Sequence, residues 1–473
     1  VRTYSLCFLA LLAAGVTSGQ ELVGPAPSTA AAQPAAAANR YIVVFAQGTA
    51  PSARANAVAA AGAILRHNYA GMDAAAVAVP NANALEALRR SAGVLRIAPD
   101  RVIRSQAKGK PGPPPPTPLT FDTRQVIPLG VQRVGPPSTG SDGAGIGIAV
   151  VDSGIDFHHP DLDPAPDNRQ NAVNAVSGGS CQDDGGHGTH VSGIIAALNN
   201  EIGVVGVAPA ATLYCVKVLG SDLTGTDSDL MAGMDWVLQH HASTTPPIRV
   251  VNMSLGRPLD TANGETLANS LFHPFIQSLY NLGIVVVASA GNDPMTEIPT
   301  LVPAGFPEVL AVASTVAANG IRTCLLGGYD IAPIPADAAS VFTTDGDGVT
   351  ISAPGEEWTD IINLPLIGCN GLQYGTLSAT LGTGGATRKL VPSLAEARGT
   401  SFSAPLVAGA AARILQKALV PLDSGASTVE GVRSWLKNNA SRAGIAPVDN
   451  PLGGTFYFYS FDGVREGIAQ APK

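Results

Sequence analysis

Gly399-Thr400-Ser401-Phe402-Ser403-Ala404-Pro405 opens the Ala-rich apolar run Leu406 to Leu419. The spacing predicts a buried helix. Ser401 then falls at its N-terminus, beside backbone N–H groups without helical acceptors and at the positive end of the dipole. A hydroxyl there can attack a carbonyl while its own N–H helps to hold the resulting oxyanion. Serine and threonine also begin helices as ordinary caps. The stretch therefore needs a base and an orienting carboxylate before it reads as chemistry.

Both lie upstream. Ile146 to Val151 reads as a buried strand ending in Asp152 and the turn Ser153-Gly154. Folds with parallel sheets keep their sites at such strand ends. His187-Gly188-Thr189-His190-Val191-Ser192-Gly193 begins a second buried helix, and Gly188, Gly193 and Ala196 permit close packing. His187 and His190 as metal ligands lack a carboxylate–His spacing of a zinc type. Val285 to Ser289 reads as a strand that delivers the amide of Asn292. Each segment is ordinary alone; together, in this order, they specify a chemistry.

The chain has 473 residues, enough for two or three domains and an ample core. With 45% hydrophobic and 14% charged residues it is predicted to be globular. A formal net charge of −8 gives no support for nucleic-acid binding. Residues 1–19 read as a secretory signal: Arg2, the apolar run Leu6 to Val16, then Thr17-Ser18-Gly19. That run is short for a bilayer, and nothing later supplies a membrane helix, so an exported product without stable membrane insertion is expected. Cys7 would leave with the signal. Cys181, Cys215, Cys324 and Cys369 remain, an even number in an exported chain, and two disulfides have three possible pairings.

Residues 20–39 are Ala/Pro/Ser-rich and read as a spacer. From Arg40 to Arg104 a β-α-β-α-β rhythm predicts a small ferredoxin-like α+β unit: strand Tyr41–Phe45, helix Pro51–Gly62, extended Asp73–Val79, helix Ala82–Ser91, strand Val94–Ile97. Residues 105–120 form a Pro-rich linker open to proteolysis before Pro113-Pro114-Pro115-Pro116. From Phe121 to the end, residues 121–473, apolar strands alternate with helical stretches. The expectation is an α/β fold, a largely parallel sheet with helices on both faces.

Val151-Asp152-Ser153-Gly154, His187-Gly188-Thr189-His190-Val191, Ala290-Gly291-Asn292 and Gly399 to Pro405 together resemble the blocks of subtilisin-like serine proteases, the subtilases. Their order, Asp then His then Ser, is the subtilisin order. The resemblance covers Phe121 onward, and the preceding small unit resembles that family's inhibitory propeptide. It implies Ser401 as nucleophile, His187 as general base, Asp152 as its orienting acid and Asn292 as oxyanion donor. His190 is then structural. Ser254, Leu255 and Gly256 match one substrate-pairing edge, and Leu223, Thr224 and Gly225 the opposite one, so that protein or peptide substrates bind as an added strand. Leu301 falls near the floor of the primary pocket and Asp293 near its rim, which leans toward apolar substrate residues.

The resemblance also implies a calcium site made of Gln125, Asp161, Asn200 and the carbonyls of Leu198, Ile202 and Val204, all oxygen donors. It implies the pairing Cys181–Cys215, with Cys324–Cys369 as the second bridge. The expected product is a secreted endopeptidase made as a precursor that cuts itself between Arg104 and Phe121, its own propeptide acting as inhibitory partner. The segment Ser105-Gln106-Ala107-Lys108-Gly109 is expected in the substrate position. A peptide transferase or cyclase on the same scaffold, and a non-catalytic binding protein, are the competing readings. The long separation from Asn292 to Ser401 departs from the family pattern, with the excess placed in Ala332–Thr344 and Glu356–Arg398.

Overall fold

The computed structural model describes residues 34–106, 125–162, 169–317, 320–322, 332–334, 336–340, 342–356, 376–384, 389–441 and 466–473. Cys324, Cys369, the predicted signal, most of the linker and the aromatic run Phe456 to Tyr459 lie outside them.

The first unit contains β1 (Ala36–Phe45), α1 (Pro51–Ala60), β2 (Ile64–Asn68), β3 (Ala74–Ala78), α2 (Ala82–Arg90) and β4 (Val94–Ser105). The strands pair antiparallel in the order β4-β1-β3-β2, a ferredoxin-like arrangement. Pro51 opens α1, and the Asn81 side chain caps α2 by accepting from the Ala84 N–H. Val43, Phe45, Val58, Val77 and Leu88 close a core between sheet and helices.

Two boundaries differ from the sequence reading. The strand β2 was not expected: Ile64 and Leu65 are both exposed at the sheet edge, so no inward-outward alternation marks it. The first strand also begins at Ala36, inside the predicted spacer, because Ala36 pairs with Arg101 on the long β4.

In the second unit α3 (Leu129–Val134) precedes β5 (Gly147–Asp152), β6 (Arg169–Asn174), α4 (His187–Ala196), β7 (Thr212–Lys217) and β8 (Thr224–Thr226). There follow α5 (Asp227–His240), β9 (Ile248–Met253), β10 (Leu255–Pro258), α6 (His273–Asn281), β11 (Val285–Ser289), β12 (Leu301–Val302) and β13 (Leu310–Val316). The remaining elements are β14 (Gly320–Arg322), β15 (Ala332–Ile334), β16 (Val349–Glu356), β17 (Thr376–Gly384), β18 (Lys389–Ala397), α7 (Thr400–Gln416) and α8 (Ala426–Asn439).

A seven-stranded parallel sheet, ordered β16-β13-β11-β9-β5-β7-β6, forms the centre. Its strands β5, β11 and β13 are near-continuous apolar runs because both faces are covered. Alternate residues part to opposite sides: Ile148 and Val150 join the core with α4 and α7, while Ala149 and Val151 join the core with α5 and α6. Within the inserted Glu356–Arg398 segment, β17 and β18 form an antiparallel hairpin, and β17 runs beside α4. Cys181 and Cys215 are disulfide-bonded, with Cα atoms 6.1 Å apart, and tie the strand β7 to the loop before α4.

The two units dock through side chains on α5 and α6. Asp100 accepts from the Ser228 N–H and Oγ, both at 2.8 Å, and so caps the start of α5. Arg40 lies 2.8 Å from Asp100 and 3.0 Å from Asp229. Tyr69 is fully buried, donates to the Ser228 carbonyl at 3.1 Å and meets Phe275 edge-on. Burial pushes its phenol pKa well up, so it stays a neutral donor. Asp235 accepts from the backbone N–H groups of Ala70 and Gly71 at 2.9 and 2.6 Å.

Candidate active site

Asp152 ends the central strand β5, fully buried. Its Oδ1 lies 2.7 Å from His187 Nδ1 and accepts from the Ser153 N–H at 2.7 Å. His187 is the first residue of α4, and that helix can lie so close to β5 because residue 188 is glycine: a Cβ there would collide with the Gly154 carbonyl. Asp183, missed in the sequence, organises this corner. Its Oδ1 accepts from Ser153 Oγ and from the Gly185 and Gly186 N–H groups, each at 2.9 Å. Its Oδ2 accepts from the Thr189 N–H at 2.9 Å and from Thr189 Oγ1 at 2.6 Å. One carboxylate thus joins the turn after Asp152 to the start of the His187 helix. An acid four residues before His187 was the only available signal.

Ser401 is the second residue of α7 and is buried. Pro405 lies four residues on, inside the helix, and lacks the N–H that would bond the Ser401 carbonyl. Ser254 Oγ takes that place, donating to the carbonyl at 2.8 Å while accepting from Asn252 Nδ2 at 3.0 Å. Ser401 Oγ in turn donates to the Ser254 carbonyl at 3.1 Å. His187 Nε2 is buried without a hydrogen-bond partner among the described residues. Phe402, next to Ser401, packs on both histidines, with ring centroids 5.5 Å from His187 and 4.5 Å from His190.

Asn292 follows β11. Its Oδ1 accepts from the Thr400 N–H at 2.9 Å and Thr400 Oγ1 at 3.0 Å. These bonds turn its Nδ2 toward the cleft, where it donates to the carbonyl of Gln106. The Ser401 N–H points at the same carbonyl, at 3.4 Å.

The first unit fills this cleft with its own chain. Val102, Ile103 and Arg104 pair antiparallel with Thr226, Gly225 and Thr224, while Arg104 and Ser105 pair with Gly256 and Leu255. The Ser105 N–H donates to the Leu223 carbonyl at 3.2 Å, and the Gln106 N–H to the Ser254 carbonyl at 3.0 Å. All six residues expected at the two substrate-pairing edges therefore flank one strand. That strand is Val102–Gln106: Ser105 and Gln106 of the expected Ser105–Gly109 lie in it, it begins earlier, and Ala107 to Gly109 lie outside the described residues. A Cβ on Gly256 would lie 2.7 Å from the Val302 carbonyl and 3.2 Å from Gln106 Nε2, so glycine leaves room for the Gln106 side chain. Leu301 is buried beside this wall, on β12, which pairs with β10. Asp293 instead accepts from the Met295 N–H at 3.0 Å and Thr296 Oγ1 at 2.9 Å, capping its own turn.

Farther along, Gln125 Nε2 lies against the oxygens of Leu198, Asn200, Ile202 and Val204, at 3.4 Å from Asn200 Oδ1, 3.2 Å from Ile202 O and 2.9 Å from Val204 O. An amide nitrogen has two hydrogens, too few for four acceptors. Asp161 is fully buried here. Its Oδ2 accepts from the Val204 N–H at 2.9 Å, and its Oδ1 has no partner among the described residues. Burial pushes its carboxyl up to about 7, with the Val204 N–H opposing. Among the described residues no group of three or more His, Cys, Asp or Glu side chains is placed to hold a metal, and this cage contains a single carboxylate.

Fold and cleft define a subtilisin-like α/β protein. The sequence model of the subtilase family matches residues 143–454. Subtilisin BL of Lederbergia lenta is 34% identical over 324 residues, 68% of this chain and 93% of its own. Subtilisin E of Bacillus subtilis (strain 168) is 33% identical over 315 residues, 63% of this chain and 64% of its own. The crystal structure of fervidolysin from Fervidobacterium pennivorans, described as a keratinolytic enzyme related to subtilisin, has a TM-score of 0.61 at 20% identity. That match covers 93% of this chain and 60% of fervidolysin and concerns the fold. The chain belongs to the subtilase family and is a subtilase-type serine protease.

Proposed function

We propose that the chain is a secreted serine endopeptidase made as a precursor, and that its first self-cleavage falls between Gln106 and Ala107. The observation that carries this reading is the Gln106 carbonyl, which faces both Asn292 Nδ2 and the Ser401 N–H while its strand is paired on both edges. Those two donors sit where negative charge develops on a carbonyl oxygen under attack. In the reaction Ser401 Oγ leaves the Ser254 carbonyl, gives its proton to His187 Nε2 and bonds to the Gln106 carbonyl carbon. The Asp152 carboxylate holds the ring by Nδ1 and stabilises its cation. His187 then protonates the departing nitrogen of Ala107 as the C–N bond breaks. Water, activated by the same nitrogen, releases the acyl group from Ser401.

After cleavage the first unit stays docked by its side-chain contacts and acts as an inhibitor. Its departure frees the two edges for protein substrates, read mainly through the main chain. Among the described residues no helix is long and apolar enough to cross a membrane. Export is inferred from residues 1–19 and fits an oxidised Cys181–Cys215 pair.

Calcium fits the cage. Turning the Gln125 amide by half a turn places Oε1 among the four oxygens, and the orphaned Asp161 Oδ1 supplies negative charge. Gln125, Asp161, Asn200 and the carbonyls of Leu198, Ile202 and Val204 would hold the ion, which would supply electrostatic cross-linking of the loop after α4.

The test is N-terminal sequencing of purified wild type and Ser401→Ala, with casein hydrolysis measured beside it. Wild type should begin at Ala107 and lose casein activity to a serine-directed inhibitor, while the variant stays unprocessed. A variant made in a protease-deficient host that still begins at Ala107 would exclude self-cleavage. Wild type without casein activity would exclude the endopeptidase.

A further inference from the structure

The strand in the cleft does not end at the residues nearest the bond. Counting back from Gln106, its fourth residue is Ile103 and its sixth is Arg101. Side chains alternate along a strand, so these two share a face. Both are buried, whereas Arg104 between the cleft edges is exposed. Ile103 enters the apolar core with Leu230 and Leu255. Arg101 instead reaches past the end of β10 to Asp260, and its guanidinium pairs there with the carboxylate. Its other terminal nitrogen donates to the Pro99 carbonyl at 2.9 Å.

The charges around Asp260 show which acid needs this partner. Arg257 lies nearby, yet its guanidinium is already committed to two other carboxylates. It meets Asp227 at 2.7 and 2.8 Å and Glu265 at 2.7 and 2.9 Å. Burial pushes the Asp227 carboxyl up to about 6, against the pull of Arg257. Among the described residues of its own unit, Asp260 receives a neutral side-chain donor: Asn263 Nδ2 gives its Oδ2 a bond at 2.8 Å. Its loop is held in shape because its backbone N–H donates to Glu265 Oε2 at 2.8 Å. Among the described residues of the second unit here, Asp227, Glu265 and Asp260 are three carboxylates, and the one guanidinium, Arg257, is bonded to the first two. Burial and the neighbouring Arg257 pull the Arg101 pKa down, while Asp227 and Glu265 oppose them. When the first unit leaves, Asp260 loses Arg101, the one cation paired with it among the described residues.

We infer that Asp260 forms a sixth subsite that selects an arginine six residues before the bond cut in protein substrates. The inference rests on the endopeptidase reading above and adds a side-chain preference to recognition that is otherwise main-chain. A carboxylate fixed in a preshaped loop accepts a guanidinium without reorganising, and a neutral residue there leaves it hydrated and unpaired. A glutamate would meet the excess negative charge directly.

The experiment uses the self-processed wild-type enzyme and three peptides of sequence X-Val-Ile-Arg-Ser-Gln-Ala-Lys, with X as Arg, Gln or Glu. Cleavage at the Gln-Ala bond is followed by mass spectrometry, and kcat/KM is compared. The Arg peptide should exceed the Gln peptide by about tenfold, as for one partly buried charge pair, with the Glu peptide slowest. In Asp260→Asn the advantage of the Arg peptide over the Gln peptide should fall to within about twofold. Equal rates for Arg and Gln peptides in wild type overturn the subsite without needing any variant. An Arg preference that survives intact in Asp260→Asn also overturns it. Wild type that cuts casein but none of the peptides refutes the strand register on which the subsite depends. Wild type that cuts neither refutes the endopeptidase itself.

Discussion

The first unit holds the second in two chemically different ways. In the cleft, Val102 to Gln106 are held chiefly by backbone groups of Leu223, Thr224, Gly225, Ser254, Leu255 and Gly256. On α5 and α6 the contacts are side-chain contacts, with Asp100, Arg40 and Tyr69 matched to Ser228, Asp229 and Phe275. Main-chain pairing accepts many sequences and suits a strand that is to be replaced by substrate. Capping by Asp100 and pairing by Arg40 fit one partner only. Under the proposed function, the difference separates what is read as substrate from what is kept as inhibitor.

Ser401→Ala should act only on the first of these attachments. Turnover is expected to fall about 10⁶-fold, the loss known for the nucleophile of subtilisin itself. Docking should be untouched, so the precursor should purify folded and unprocessed. Asn292→Ala removes one of the two donors to the Gln106 carbonyl and should cost about 10²–10³-fold in kcat. It also frees the Thr400 N–H and hydroxyl, so a thermal melt must accompany the kinetics. Processing that is slowed in Asn292→Ala but reaches the same new N-terminus would fit; a different N-terminus would mean that another bond is presented.

Asp100→Ala acts on the second attachment. It takes away the acceptor of the Ser228 N–H and hydroxyl and leaves Arg40 with Asp229 as its one charged partner here, beside the hydroxyls of Thr226 and Ser228. Truncating one partner of a buried charged contact costs about 2–5 kcal/mol, so inhibition by the cleaved first unit should weaken about 30-fold or more. The measurement is the protein concentration at which activity appears on diluting the processed complex. An unchanged midpoint would mean that the cleft strand alone supplies the affinity, and the contrast between the attachments would collapse.

The positions of Asp152, His187, Asn292 and Ser401 around one cleft were legible because each sits where an apolar run starts or stops. Strand ends and helix starts leave such marks. Pro405 was legible as a residue, but its effect on the Ser401 carbonyl was not, since that depends on Ser254 arriving from another strand. Arg413 shows the same limit: it lies fully buried within α7 and donates to the Gly135 carbonyl at 2.7 Å and to Ser141 Oγ at 3.1 Å. A run read as apolar thus contains a cation whose partners come from a distant loop. That the cleft strand begins as early as Val102 was not legible for a related reason. Backbone pairing has no side-chain signature, so only the folded unit fixes how far β4 reaches. β2 escaped because an exposed edge strand need not alternate.

Calcium should produce the smallest effect, and it lies apart from both attachments. The cage joins Gln125 and Asp161 to the loop after α4, not to α5, α6 or the cleft strand. An ion bound only by the folded state stabilises it by mass action, about 2.7 kcal/mol when free calcium is 100 times its Kd. For a unit of this size that corresponds to roughly 3–4 °C in Tm. Chelation should therefore lower the Tm of the Ser401→Ala precursor and of the inhibited mature enzyme by similar amounts. Asp161→Ala should remove most of the response in both, and the dilution midpoint for release of the first unit should not move. A chelator effect of full size in Asp161→Ala would place the ion elsewhere. A shifted dilution midpoint would show that the metal loop and the docking surface are coupled, so that the cleft and the helix contacts could no longer be treated as two independent attachments.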